Sequence, residues 1–146
     1  MNSTPRRPWR TEARFLQVNG RRLFALDVMP TQPRTGTVLY LPPFAEEMNR
    51  LRSHVASMAR ALASEGLRCV LLDPFGTGES DGHITDADWD HWLQDTEAAC
   101  QWLADQDGHP PTLWGARTGA LLAAEVSRRP QLYPSPGRLL LWQPVL

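Results

Sequence analysis

Three apolar runs limit what this chain can fold into: "TVLYLPP" from Thr37, "RCVLLD" from Arg68 and "PTLWG" from Pro111. The first is continuous and apolar, the pattern of a strand covered on both faces, and Pro42-Pro43 stops it. The second reads as another buried strand and the third as a strand too. Between them the period changes. Leu51, Val55, Met58, Ala59, Leu62 and Ala63 fall at helical spacing, and Gly66 stands where that helix ends. Trp89, Trp92, Leu93, Thr96, Cys100 and Leu103 share one face of a second helix, which Asp86 or Asp88 can cap. "TGALLAAEVSRR" predicts a third helix, stopped by Pro130, and "RLLLWQPVL" a last strand. Upstream, "RFLQV" and "RRLFALDVM" are strand-like runs joined by Asn19-Gly20, a pair that suits a tight hairpin because both residues tolerate positive φ. The order is hairpin, strand, helix, strand, helix, strand, helix, strand. Such alternation predicts an α/β fold with a mostly parallel sheet and flanking helices.

The 146 residues have room for one domain with its own core. Residues 1–12 are polar and rich in Pro and Arg, and read as a flexible tail before a domain spanning 13–146. A net charge of −1 gives no electrostatic grip on nucleic acid or anionic lipid. No stretch approaches the ~18 apolar residues of a membrane span, and "MNSTPRRPWR" has no apolar segment behind its basic residues, so the default location is the cytoplasm. Cys69 and Cys100 sit in apolar settings and read as buried thiols. With no CxxC and no HxxxH, neither a metal site nor a cofactor is expected.

Ligands of open parallel sheets bind at the carboxyl ends of the strands. Three loops leave such ends: "PPFAEEMNR", "DPFGTGESDG" and "WGARTGA". In the last, the strand turns directly into a helix, which strains the residue at the tip and demands small neighbours. Gly115, Ala116, Thr118 and Gly119 meet that demand, and the amide of Thr118 belongs to a helix N-terminus able to hold an anion. The tip residue is Arg117. A guanidinium has only donors and cannot attack a carbonyl. It can bind a carboxylate, a phosphate or a neighbouring acid, or simply remain solvated above a βα turn.

Two nearby patterns need weighing. "GESDG", from Gly78 to Gly82, formally matches G-x-S-x-G around Ser80. It lacks the strand immediately before and the helix immediately after that a nucleophile elbow requires, so Ser80 and its glycines read as turn formers. Glu46 and Glu47 are adjacent carboxylates that could do acid–base work, but beside a helix start they more simply offset its positive end. His54, His83, His91 and His109 lie on predicted helix faces or in loops and read as surface histidines.

Together, "LPPFAEEMN", "DPFGTGESDG" and "LWGARTGA", each following a strand, resemble the α/β-hydrolase fold. More narrowly, "PPFAEEMN" and the arginine of "LWGARTG" resemble the exosortase A system-associated hydrolases of the hydrolase 2 type, which accompany bacterial exosortase and exopolysaccharide gene clusters. The resemblance runs from about Arg14 to Leu146. It implies that Arg117 occupies the nucleophile position, and that Thr118 supplies one oxyanion-hole amide and Phe44 or Ala45 the other. It also implies that Ser80 is the structural serine of D-x-x-G-x-G-x-S. The triad acid and histidine would follow later strands. A complete sheet of eight such units needs roughly 240 residues, so 13–146 is expected to be an incomplete α/β-hydrolase domain lacking its C-terminal strands and helices.

The implied function is an ester- or thioester-type hydrolase by descent, acting on an unidentified small-molecule or acyl substrate, with this chain inactive. The alternative is a non-catalytic anion-binding or scaffold module in which Arg117 and the helix behind it hold the ligand, with Glu46 and Glu47 as further candidates. A partner chain is expected to cover the exposed C-terminal strand. A third possibility is a truncated reading frame with no stable product.

Overall fold

The computed structural model describes residues 7–44, 46–129 and 138–142. Two antiparallel strands, β1 (Trp9–Val18) and β2 (Arg21–Pro30), form the hairpin, with Val18 opposite Arg21. Asn19 and Gly20 take φ of 49° and 80°, the doubly positive conformation that closes a two-residue turn. The chain continues through β3 (Gly36–Leu41), α1 (Glu46–Ser64), β4 (Leu67–Leu72), a short 3₁₀ turn (Ile84–Asp86), α2 (Trp89–Asp107), β5 (Thr112–Ala116), α3 (Thr118–Ser127) and β6 (Leu139–Trp142). These form a six-stranded sheet in the order β1-β2-β4-β3-β5-β6. The β2–β4 pair is antiparallel, and β4, β3, β5 and β6 run parallel.

The three apolar runs become β3, β4 and β5, the centre of the sheet, and their alternate residues feed two cores. Leu39, Leu41, Val70, Leu72 and Leu113 join Trp92, Leu93 and Leu103 of α2 and Leu122 and Val126 of α3. On the opposite face, Val38, Tyr40, Cys69 and Trp114 pack against Val55, Ala59 and Ala63 of α1. A strand covered by helices on both sides has no polar face, and this is why those runs are continuous rather than alternating. Asp88 caps α2 by accepting the His91 amide at 2.8 Å. Asp86 serves the preceding 3₁₀ turn instead.

Three boundaries differ from expectation. The first strand begins at Trp9, so residues 9–12, expected in the tail, pair with 27–30. Their polar side chains suit a sheet edge, where one row of backbone groups stays wet. α1 starts at Glu46, which puts Glu46 and Glu47 inside its first turn rather than in a loop before it. The last strand is described from Leu139 to Trp142, and the rest of that expected strand lies outside the described residues. β6 forms one edge of the sheet and leaves Leu139, Leu140 and Leu141 exposed.

Charges are also buried. Asp27, fully buried in β2, accepts from Arg14 Nε at 2.8 Å and from Arg68 Nε and Nη2 at 2.9 and 2.7 Å. Arg68 also donates to Gln106 of α2 at 2.9 Å, so one network ties β1, β2, β4 and α2 together. Both charges are paired and hydrogen-bonded, the condition under which buried ions are tolerated.

Candidate active site at the β5–α3 turn

Only Arg117 separates the last residue of β5 from the first of α3. Its backbone sits at φ 55° and ψ −118°, a region favourable to glycine and strained for a residue with a Cβ. The strain is enforced from both sides. A methyl on Gly119 would overlap the carbonyl oxygens of Leu41 and Pro42, and one on Gly115 would overlap the carbonyl of Gly119. The helix start is thus pressed directly against the carboxyl end of β3, which lies beside β5. Below the tip, the Arg117 amide donates to Trp142 of β6 at 2.9 Å. This is a tight strand–turn–helix with a strained tip, and it places an arginine there.

Two of the three residues expected to supply amides, Phe44 and Thr118, are in contact there. Phe44 follows β3, and its amide points at the start of α3. It already has an acceptor, since the Phe44 N–H donates to Thr118 Oγ1 at 3.2 Å. The side chain of the residue after the tip therefore occupies the second amide, and an oxyanion would have to displace it. The Phe44 ring stacks on Trp92 with centroids 4.0 Å apart and meets Trp89 edge-on at 6.2 Å. Trp92 Nε1 donates to the Phe75 carbonyl and Trp89 Nε1 to Glu125 of α3, which anchors both rings. The aromatic wall beside the turn is therefore fixed by hydrogen bonds as well as by packing. Ala45 lies outside the described residues, and Glu46 and Glu47 are described by their place in α1 alone. Arg117 is engaged within the chain and is not a free cation.

Ser80 lies elsewhere and is fully committed. Its hydroxyl donates to the Asp73 carbonyl and accepts the Phe24 amide at 2.8 Å, stitching the loop after β4 to β2. Asp81 accepts the Arg22 amide beside it, and the Asp81 amide donates to the Arg22 carbonyl. The turn-forming role expected of Ser80 is what its contacts describe.

Other nucleophiles and bases are poorly placed among the described residues. Burial pushes the Cys69 and Cys100 thiols up to about 12, leaving them neutral. His54, His83 and His109 are exposed, and His91 sits next to Asp88 at the start of α2. No group of three His, Cys, Asp or Glu side chains able to hold a metal occurs among the described residues. No described helix is long and apolar enough to cross a membrane.

The sequence reading passed over two carboxylates at this end of the sheet. Asp95, buried in α2, accepts from Arg21 and from the Phe75 amide, each at 2.8 Å, and so holds the loop after β4 against the hairpin. Asp73 ends β4. Burial raises its carboxyl above the ordinary carboxylate value, against the opposing pull of the Glu79 amide at 3.0 Å and of Arg52 at 3.7 Å. The signal for Asp73 was its place directly after an apolar run. For Asp95, inside an otherwise regular helical pattern, there was none.

Known proteins share this fold. The family model of the X-Pro dipeptidyl-peptidases (S15 family) matches residues 19–116 and ends one residue before the tip. No curated protein sequence matches the chain. Among solved structures, the thioesterase domain from the curacin biosynthetic pathway is similar with a TM-score of 0.72 and 28% identity, over 94% of this chain and 47% of that one. The α/β-hydrolase GrgF from Penicillium sp. sh18 is similar with a TM-score of 0.75 and 18% identity, over 94% and 47%. A soluble variant of monoglyceride lipase from Saccharomyces cerevisiae gives 0.74 and 17%, over 92% and 44%. The chain spans less than half the length of each of these structures. The likeness to the last two shows the α/β-hydrolase fold alone.

Proposed function

Because the chain belongs to the X-Pro dipeptidyl-peptidase S15 family by a match over residues 19–116, with the partial α/β-hydrolase fold its neighbours share, we propose that it descends from hydrolases of ester- or thioester-type acyl groups and that by itself it turns over none. Support for the acyl-transfer chemistry comes from the 28% identity to a thioesterase domain and from an elbow of the right shape. The proposed context is the one the sequence resembles, exosortase-linked exopolysaccharide metabolism.

One observation carries the inactivity: at the tip, where an attacking oxygen or sulfur must stand, there is a permanently protonated guanidinium. Loss of the nucleophile alone costs on the order of 10⁶ in rate in the best-studied serine hydrolase. The Thr118 hydroxyl on the Phe44 amide adds to this by occupying one of the two donors an oxyanion needs. No observation favours the anion-binding alternative, since Arg117 is already engaged.

The test is hydrolysis of p-nitrophenyl butyrate by the wild type, Arg117→Ala and Arg117→Ser. Background rates for the wild type and Arg117→Ala are expected, with at most a small gain in Arg117→Ser. Wild-type hydrolysis that vanishes in Arg117→Ala would refute the reading.

A further inference from the structure

A cavity of about 110 Å³ lies between the first half of α1 and strands β2, β3 and β4. It is on the α1 face of the sheet, whereas α3 and the elbow pack on the other, and neither Arg117, Thr118 nor Phe44 lines it. Its walls are apolar, made by Leu26, Tyr40, Met48, Val55 and Leu71, with Ala56 between them. Its charged groups are Asp73 and Arg52, and Tyr40 adds a hydroxyl.

The Asp73 carboxylate is only partly satisfied. Asp73 Oδ2 accepts the Glu79 amide at 3.0 Å. Among the described residues its Oδ1 faces the Arg52 guanidinium, and 3.7 Å is too long for a hydrogen bond. The Arg52 side chain is 53% exposed, so water competes for it, whereas the Asp73 side chain is 9% exposed. A nearly buried carboxylate oxygen without a hydrogen bond at the edge of an apolar cavity is matched by a cationic donor and repels an anion.

Size sets the rest. A cavity of about 150 Å³ takes benzene, so one of about 110 Å³ takes roughly four non-hydrogen atoms, a butyl chain whose head group stays at the mouth. We propose that this cavity binds a short primary alkylammonium. The ammonium donates to Asp73 Oδ1, which Arg52 holds only loosely, and the alkyl chain lies among Tyr40, Val55 and Leu71. The site is independent of the elbow, so it stands whether or not the chain has hydrolase ancestry of the proposed kind.

The experiment is titration of the wild-type protein with n-butylammonium chloride, n-butanol and sodium butyrate, followed by amide and methyl chemical shifts in NMR. Butylammonium is expected to shift the signals of Val55, Ala56 and Leu71 saturably, and to bind about tenfold or more tightly than butanol, the usual advantage of a charged hydrogen bond. Butyrate is expected to leave those signals in place. Asp73→Asn should bring butylammonium down to the level of butanol. Ala56→Phe, which fills the cavity from half-buried α1 without touching the carboxylate, should abolish binding of both. Equal affinity for butanol and butylammonium, tighter binding of butyrate, no saturation by about 100 mM, or binding that survives Ala56→Phe would each overturn the proposal.

Discussion

Two turns at the carboxyl end of this sheet split between them what a hydrolase needs in one place. The loop after β4 has the serine between glycines, Gly78 to Gly82, but no elbow. The turn after β5 has a strained strand-to-helix bend, with its tip at φ 55° and small residues packed against a neighbouring strand, but no serine. In the first, the hydroxyl's donor and acceptor capacity are both spent on holding the loop to β2. In the second, the backbone is strained and aimed, and the side chain it presents cannot attack. The difference shows that a nucleophile motif is a statement about backbone, not letters. The serine that matches the pattern is a structural pin, and the arginine that does not match it stands at the strained strand-to-helix turn.

The comparison can be broken most forcefully at Gly119. A single methyl there would meet two backbone carbonyls of the β3 end, which cannot swing aside as a side chain can. Gly119→Ala should therefore cost about 3 kcal/mol or more in chemical denaturation. A neutral result would mean that the helix start is not pressed against β3 and that the elbow is absent. Next in size is Ser80→Ala, which strips a hydrogen-bond acceptor from the Phe24 amide and a donor from the Asp73 carbonyl. It should cost about 1–3 kcal/mol and leave the background rate of ester hydrolysis unchanged. A lost rate without lost stability would make Ser80 the nucleophile after all.

A smaller effect comes from Asp73, because its carboxyl is raised by burial. A raised folded value means that its contribution to stability is full below the ordinary carboxylate pKa of about 3.9 and is lost as pH rises through the folded value. Thermal melts of wild type and Asp73→Asn at pH 4 and pH 7 should show the variant gaining on the wild type as pH rises. A gap that is constant or moves the other way would show that the Glu79 amide and Arg52 outweigh burial.

The centre of the sheet was plain in the sequence because β3, β4 and β5 are covered on both faces and can afford no polar residue. The edge was not. Trp9 to Glu12 look like a tail because an outer strand keeps its polar side chains, and only pairing with 27–30 makes them a strand. The Asp27–Arg68 pair was invisible for a related reason: each charge sits in an apolar run, and their 41-residue separation hides that they meet. At the site, the glycines and the tip residue were legible because an elbow is a local structure. The Thr118 hydroxyl on the Phe44 amide was not, since it joins loops 74 residues apart.

Arg117 crowns a strained strand-to-helix turn, and the most direct measurement of that strain compares Arg117→Gly with Arg117→Ala. Both variants lose the arginine's own contacts, so their difference isolates the backbone. At φ 55° and ψ −118° glycine is relaxed and alanine is not, and Arg117→Gly should melt higher by about 3 °C, the equivalent of roughly 1 kcal/mol. Arg117→Ala melting higher than Arg117→Gly, as in an ordinary helix start or turn, would contradict the account.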